Sequence, residues 1–437
     1  MKAENGLRFA ALSLIGVLLF FVPVYEGTIP VVHMINGVKA GLGTWFQWVA
    51  VISCVSLVIL MACAWILPFP ALKKAYGDQG KVRPVFWAVS CVIVLLKISG
   101  SKLSFMVHPN IGGTILNLGS TVFITIAVAG TLTVFIIRSG VVEFMSVLME
   151  PVMQPLFLLP GEAAVNILSS FVSSASVGVY FTEQYYIKKR YTVRQACSLV
   201  TGFSVVSVGY IGIIASLSGI SEMYGHLLGC SFVLVLAMGT VMVRIPPLRG
   251  MADRYIDGTC PGESSDAMNW KERIQTAWRI GTKEASEFSL SFVTESFFQA
   301  LVFAQKIVGV MIPTVMIVLI LVYDTPVFEW LGLPLVPVLQ LLGIPDAAAA
   351  APSVLIGIVE VSLPSILIGG TAATAKTRFF VALLSIVQII FFSEAGNAIL
   401  GSKIPLNAWR LIQIFLIRTA VALPLVAGVT HIVYFSR

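Results

Sequence analysis

Two short strings in the second half of the chain hold carboxylates where apolar residues are expected. Glu360 lies in Gly-Ile-Val-Glu-Val-Ser-Leu-Pro-Ser, directly before Ser362 and the helix-breaking Pro364. Glu394 and Asn397 lie in Phe-Phe-Ser-Glu-Ala-Gly-Asn-Ala-Ile-Leu, with Gly396 between them. A carboxylate in a low-dielectric cavity holds its charge at a cost, so it gains affinity for a proton or a small cation. Ionisable groups within apolar segments mark pathways and sites. The chemistry expected of Glu360 and Glu394 is therefore binding of a polar solute together with a proton or sodium, with Ser362 and Asn397 as further ligands. The first half offers hydroxyls and amides instead. If residues 163–174 are helical, Asn166, Ser170, Ser173 and Ser174 share one face at i, i+4, i+7 and i+8 and can line a polar cavity. The alternative for that stripe is close helix packing through small residues. Glu183 is a third candidate for a proton or coupling ion, with solvation beside Lys188 as its plainer reading. Glu162, just after Pro160-Gly161, could equally stabilise a helix N-terminus.

These groups need a membrane to make sense of them. Hydrophobic residues make up 57% of the 437 and charged residues 11%, against about 25% charged in soluble domains. Apolar runs of about 20 residues recur, the length that crosses a hydrocarbon core. The net charge of +7 reads as positive-inside topology and not as nucleic-acid binding, because the cations gather in particular loops. Nine crossings are expected: Leu7–Tyr25, Trp45–Leu67, Pro84–Phe105, Thr114–Ile137, Ala196–Leu217, Leu227–Val243, Gln299–Tyr323, Phe379–Leu400 and Ala408–Val433. Arg418 interrupts the ninth, where it would pair with a carboxylate or snorkel. Residues 26–44 read as a mixed external connection or a short interfacial helix. The run from Gly161 to Tyr185 ends in Lys-Lys-Arg-Tyr-Thr-Val-Arg, so a full crossing there would place that basic cluster outside. A re-entrant hairpin entering from the cytoplasm resolves the conflict, and residues 347–371 read as a second hairpin entering from the opposite side.

The halves repeat. Residues 115–245 and 299–433 each read as span, amphipathic lead-in, hairpin, span, span. Pro160-Gly-Glu-Ala-Ala and Pro345-Asp-Ala-Ala-Ala open the hairpins, with Thr192 and Thr377 in the turns beyond them. Three crossings per half require inversion of the second, and interrupted segments at matching places in inverted repeats locate a transporter's binding site. The expected architecture is an all-α polytopic membrane protein of about nine helices and two hairpins. Its domains are a scaffold at 1–113, a first repeat at 114–245 with hairpin 161–185, a cytoplasmic amphipathic linker at 246–298, and an inverted repeat at 299–437 with hairpin 347–371.

This layout resembles the nucleoside-recognition, or Gate, domain shared by concentrative nucleoside transporters, ferrous-iron transporter B and spore-maturation membrane proteins, and over the whole chain the YjiH-like Gate proteins. The resemblance covers about residues 115–435. It implies a secondary transporter of a small polar solute, a nucleoside or nucleobase among the candidates, in a bacterial inner membrane with a cytoplasmic N-terminus. No GxxxxGK[ST] phosphate loop occurs in the sequence, which sets the iron-transporter reading aside. The hairpins lack the nucleoside transporters' Gln/Thr-Glu signature, so no residue-level specificity carries over. The rival readings are a non-transporting component that assembles with a smaller Gate-type companion, and an uncoupled channel; as partners the resemblance allows a homo-oligomer or such a companion. No catalytic group, metal or cofactor is expected: there is no HExxH, CxxC or GxSxG, and the serines have no evident histidine partner.

Overall fold

The computed structural model describes every residue except 1, 23, 25–29, 68, 78–81, 102, 108, 173, 262–268 and 436–437. The described residues form helices and connections, with no strand among them. The N-terminal helices are α1 (Lys2–Phe21), α2 (Pro30–Leu42), α3 (Trp48–Ile66) and α4 (Val82–Ile98). The first half continues with α5 (Thr114–Leu132), α6 (Val141–Phe157), α7 (Ala163–Val172), α8 (Ala175–Ile187), α9 (Val193–Phe203), α10 (Val208–Leu217) and α11 (Tyr224–Met242). After α12 (Trp270–Ser286), the second half runs α13 (Ser291–Tyr323), α14 (Val327–Gly332), α15 (Val336–Leu341), α16 (Ala347–Ile356), α17 (Leu363–Gly369), α18 (Ala375–Gln388), α19 (Ala395–Gly401) and α20 (Ala408–Phe435).

The order of elements recurs. A long helix (α5, α13) leads through short or amphipathic helices to a packed pair (α7/α8, α16/α17), then to a helix broken in two (α9/α10, α18/α19), then to a long helix (α11, α20). The lead helices α5 and α13 pack along each other at the centre, where small buried residues such as Ala129, Ala300 and Ala304 let the backbones approach.

Each packed pair is fastened at its base by the acidic residue that opens it. Glu162 takes Arg190 by Nε at 3.0 Å and Nη2 at 2.5 Å. Asp346 accepts from the Thr374 N–H at 2.8 Å, the Thr374 hydroxyl at 2.7 Å and the Thr377 hydroxyl at 2.9 Å, fixing the start of α18. The α9 start is closed by a reciprocal box, Gln195 N–H to Thr192 Oγ1 at 3.2 Å and Thr192 N–H to Gln195 Oε1 at 3.0 Å.

Among the described residues, five helices are long and apolar enough to cross a membrane: Trp48–Ile66, Ile111–Ile137, Ser221–Met242, Ser291–Leu321 and Ala408–Phe435. The other expected crossings fall on α1, whose apolar part is Asn5–Phe20, on the 17-residue α4, or on helices split in two, α9/α10 and α18/α19. The splits have a backbone cause. α9 ends at Ser204 (φ −78°, ψ 66°), where the Val205 N–H reaches back to Phe203 O at 2.9 Å. α18 ends at Ile389 (φ 64°, ψ −43°), where the Ile390 N–H reaches back to Gln388 O at 2.7 Å. Both are three-residue γ-turns of opposite hand, the second strained by about 1–3 kcal/mol because a β-branched residue sits at positive φ. Helical hydrogen bonding cannot pass either turn.

Residues 244–298 contain α12, whose Ala277, Gly281 and Ala285 are buried against α6 and α1 while Trp270, Ile274 and Trp278 stay exposed. Arg273 donates to Val147 O at 3.0 Å and Arg138 pairs with Glu284 at 3.1 Å, which seats the linker on the first half.

Candidate functional site

A cavity of about 480 Å³ opens where the two broken helices meet, a size typical of small-molecule sites. Ser207 and Tyr210 enter from the first break and Ser393 and Glu394 from the second; Ser174 comes from the turn between α7 and α8, and Glu360 from the turn between α16 and α17. Helix α5 adds Thr121 and Thr125, and α2 adds Asn36 and Lys39.

The two carboxylates are held differently. Glu394 Oε1 accepts from the Ser176 N–H at 3.0 Å and the Ser176 hydroxyl at 2.8 Å, linking the second break to the start of α8. Its Oε2 has no bonded side-chain or backbone partner among the described residues. Glu360 is more fully occupied. Oε2 accepts from the Ser362 N–H at 2.7 Å, the Leu363 N–H at 3.1 Å and the Ser362 hydroxyl, and Oε1 accepts from Tyr210 Oη at 3.0 Å. α17 starts at Leu363 with Pro364 in its first turn, so the Ser362 and Leu363 N–H groups stand at a helix N-terminus with no helical carbonyl to take them, and they turn inward to the carboxylate. The turn before α17 also grips the second break: Phe392 N–H bonds Ile358 O at 2.7 Å and Ser393 N–H bonds Val359 O at 2.8 Å. The wall therefore offers acceptors (the glutamates), hydroxyls (Ser174 and Ser207), one ammonium (Lys39) and aromatic rings (Phe391 and Tyr210).

Of the candidates read from the sequence, Glu360, Glu394 and Ser174 line this cavity. Ser362 stands behind Glu360 as its donor. Asn397 is fully buried, donates to Phe392 O and leaves Oδ1 unbonded, so it braces the turn into α19. Asn166 and Ser170 are buried inside the α7/α8 pair: the Asn166 amide lies 2.8 Å from the Thr182 hydroxyl, and Gly178 leaves the room that Ser170 Oγ fills. The serine stripe thus holds a hairpin together more than it lines a wall. Ser173 lies outside the described residues. Glu183 is buried away from the cavity lining. It accepts the Lys403 N–H at 2.7 Å, with Lys306, Lys403 and Arg83 around it, and so clamps α8 to the end of α19.

Sequence reading missed Ser176 as the partner of Glu394, and missed Tyr210, Ser207 and Lys39. Ser207 and Tyr210 follow a helix break that no proline announces. Lys39 sits in residues 26–44, where α2 packs on α5 with Val31 and Ile35 buried and does not merely connect spans. Among the described residues Arg418 has no carboxylate partner, and it does not snorkel to solvent: it is fully buried and bonded to carbonyls.

Residues 120–221, from α5 to just past α10, match the family model for Gate, nucleoside recognition. An uncharacterized protein of Alkalihalophilus pseudofirmus is 31% identical over 457 residues, an alignment that takes in 100% of this chain and 96% of that protein. The chain belongs to the Gate family. The Gate match lies within the first half, α7/α8 and the first break included, and the cavity is completed by the second half. The structure of CNTnw in an inward-facing substrate-bound state aligns over 99% of this chain and 98% of that one, at 13% identity and a TM-score of 0.37. Family membership and the five apolar helices support a multi-pass membrane transporter.

Proposed function

We propose that this Gate protein is a secondary transporter of a small polar solute, with nucleosides and nucleobases the first to test, and that Glu360 and Glu394 bind that solute and a coupling proton or sodium. One observation carries the reading: a single cavity brings both carboxylates of the second half against Ser174, Ser207 and Tyr210 of the first. A site built from both halves changes shape when one half moves against the other, which is what alternating access requires. The split crossings fit the same reading, since broken backbone at membrane depth survives where it lines a cavity.

In this proposal the nine crossings consist of the five long helices, α1, α4 and the two broken helices. The packed pairs are re-entrant hairpins entering from opposite sides of a bacterial inner membrane, and the N-terminus is cytoplasmic. Asn166, Ser170 and Asn397 support the site, and Glu183 fixes α8 as a clamp beside it. Purified protein in liposomes, given a panel of labelled nucleosides, nucleobases and other small polar solutes with and without proton or sodium gradients, tests it. Saturable, gradient-driven uptake of one class supports the proposal. A stable complex with a second Gate-type protein and no flux of any solute would replace it with the assembly reading.

A further inference from the structure

Two helix ends inside the protein converge on one guanidinium. α9 stops at Phe203 and α18 at Gln388, so the last carbonyls of each lack intrahelical donors and carry the negative end of the helix dipole. Arg418 of α20, 0% exposed, donates from Nε to Val387 O at 2.7 Å, from Nη1 to Thr201 O at 3.5 Å and from Nη2 to Gly202 O at 3.4 Å. None of the ion pairs among the described residues involves it. A buried cation without compensation is strongly unfavourable; here the compensation is carbonyl oxygen from the last turns of two half-helices, one in each half of the chain. The next residue, Thr419, extends the grip, because the Gln388 amide donates to Thr419 Oγ1 at 2.9 Å and to Val354 O of α16 at 2.8 Å. At the first break no such group appears among the described residues. α11, which follows the first break as α20 follows the second, contains no Lys or Arg and meets the end of α9 with Gly239 against the Phe203 ring.

Converging carbonyls at the C-terminal ends of broken membrane helices are the ligands that small monovalent cations use. We propose that Arg418 is a built-in cation filling such a carbonyl cage. It acts as a positioning residue that ties the two breaks, and with them the cavity residues Ser207, Tyr210, Ser393 and Glu394, to α20. No separate metal ion is then needed at this junction, and removing the guanidinium opens a place for one.

The test is thermal unfolding of the full-length protein in detergent, a readout that stands whether or not a solute is moved. Wild type is compared with Arg418→Lys, which keeps a cation, Arg418→Met, which keeps bulk without charge, and Arg418→Ala, which empties the cage. Each is measured in sodium, potassium and choline chloride at equal ionic strength, and with added methylguanidinium chloride. Wild type and Arg418→Lys are expected to melt close together and independently of the salt. Arg418→Met and Arg418→Ala should melt lower, and Arg418→Ala should recover with sodium or methylguanidinium in the concentration-dependent manner of a bound ligand, but not with choline. Arg418→Lys no more stable than Arg418→Met overturns the proposal, as does a folded Arg418→Ala that responds to no cation. If the two neutral variants yield no folded protein, Arg418→Lys decides alone: a wild-type melt supports the built-in cation, and failure alongside them overturns it.

Discussion

Glu394→Gln is the sharpest perturbation of the proposed site, because it changes charge and little else. The glutamine carbonyl can still accept from the Ser176 N–H and hydroxyl, which now bond Oε1 at 3.0 and 2.8 Å. The link between the second break and α8 is therefore weakened, not cut. What disappears is the anionic character of the oxygen left for a solute. A hydrogen bond to a charged group contributes about 1.5–3 kcal/mol and a neutral one about 0.5–1.5 kcal/mol, so the exchange costs about 1–2 kcal/mol, or about 5- to 30-fold in affinity. Ser176→Ala should act in the same direction by removing one of the two donors that orient the carboxylate. The double variant should cost less than the sum of the two, since both changes strike one interaction. Uptake into proteoliposomes, measured against solute concentration at several pH values and sodium concentrations, reads the effect as a rise in KM and a changed response to the coupling ion. A Glu394→Gln protein with wild-type KM, rate, pH profile and sodium dependence would refute the assignment.

Further outcomes follow from other contacts. Tyr210→Phe deletes the 3.0 Å bond that joins α10 to Glu360, a loss of about 1.5–3 kcal/mol. KM should rise about tenfold or more in the same uptake assay, and an unchanged value would mean that the Ser362 and Leu363 donors hold Glu360 by themselves. At Gly178 an added Cβ would fall 1.8 Å from Ser170 Oγ but 3.1 Å from Ser170 Cβ. Gly178→Ala should thus destabilise the α7/α8 pair by about 1–3 kcal/mol, and Ser170→Ala in the same chain should restore most of the melting temperature. Glu143, on the amphipathic helix α6 outside the spanning segments, is pushed up to about 7 by burial. The Arg190 charge 3.4 Å away only partly offsets this, since that guanidinium is already committed to Glu162. The folded form then binds the proton more tightly than the unfolded chain. Stability is fullest below the ordinary value of 4.5, falls as pH rises towards about 7, and levels off above it. Glu143→Gln should flatten that fall and melt higher than wild type at pH 8 in a pH-resolved unfolding series.

The sequence by itself determined the solvent, the periodicity and the chemically odd residues. Long apolar runs with clustered loop cations require a bilayer, and carboxylates at 360 and 394 stand out because apolar surroundings make charge expensive. The recurring order of segments was also legible, because each helix writes its length and polarity locally. Face patterns were readable, but not what each face would meet. The spacing of Asn166, Ser170 and Ser174 shows a polar stripe, yet only packing decides that Gly178 admits Ser170 into the hairpin while Ser174 alone reaches the cavity. The helix breaks at Ser204 and Ile389 rest on γ-turns that depend on tertiary support, so no local breaker announces them. Ser176 meets Glu394 across 218 residues and Tyr210 meets Glu360 across 150. Such pairings have no sequence signal, because they arise only when the two halves close on each other. The same closure surrounds Arg418 with carbonyls from both halves, while Lys39 reaches the cavity because the N-terminal helix α2 packs on α5. The residue types supplied the chemistry, and the packing of one half against the other decided which of them share a site.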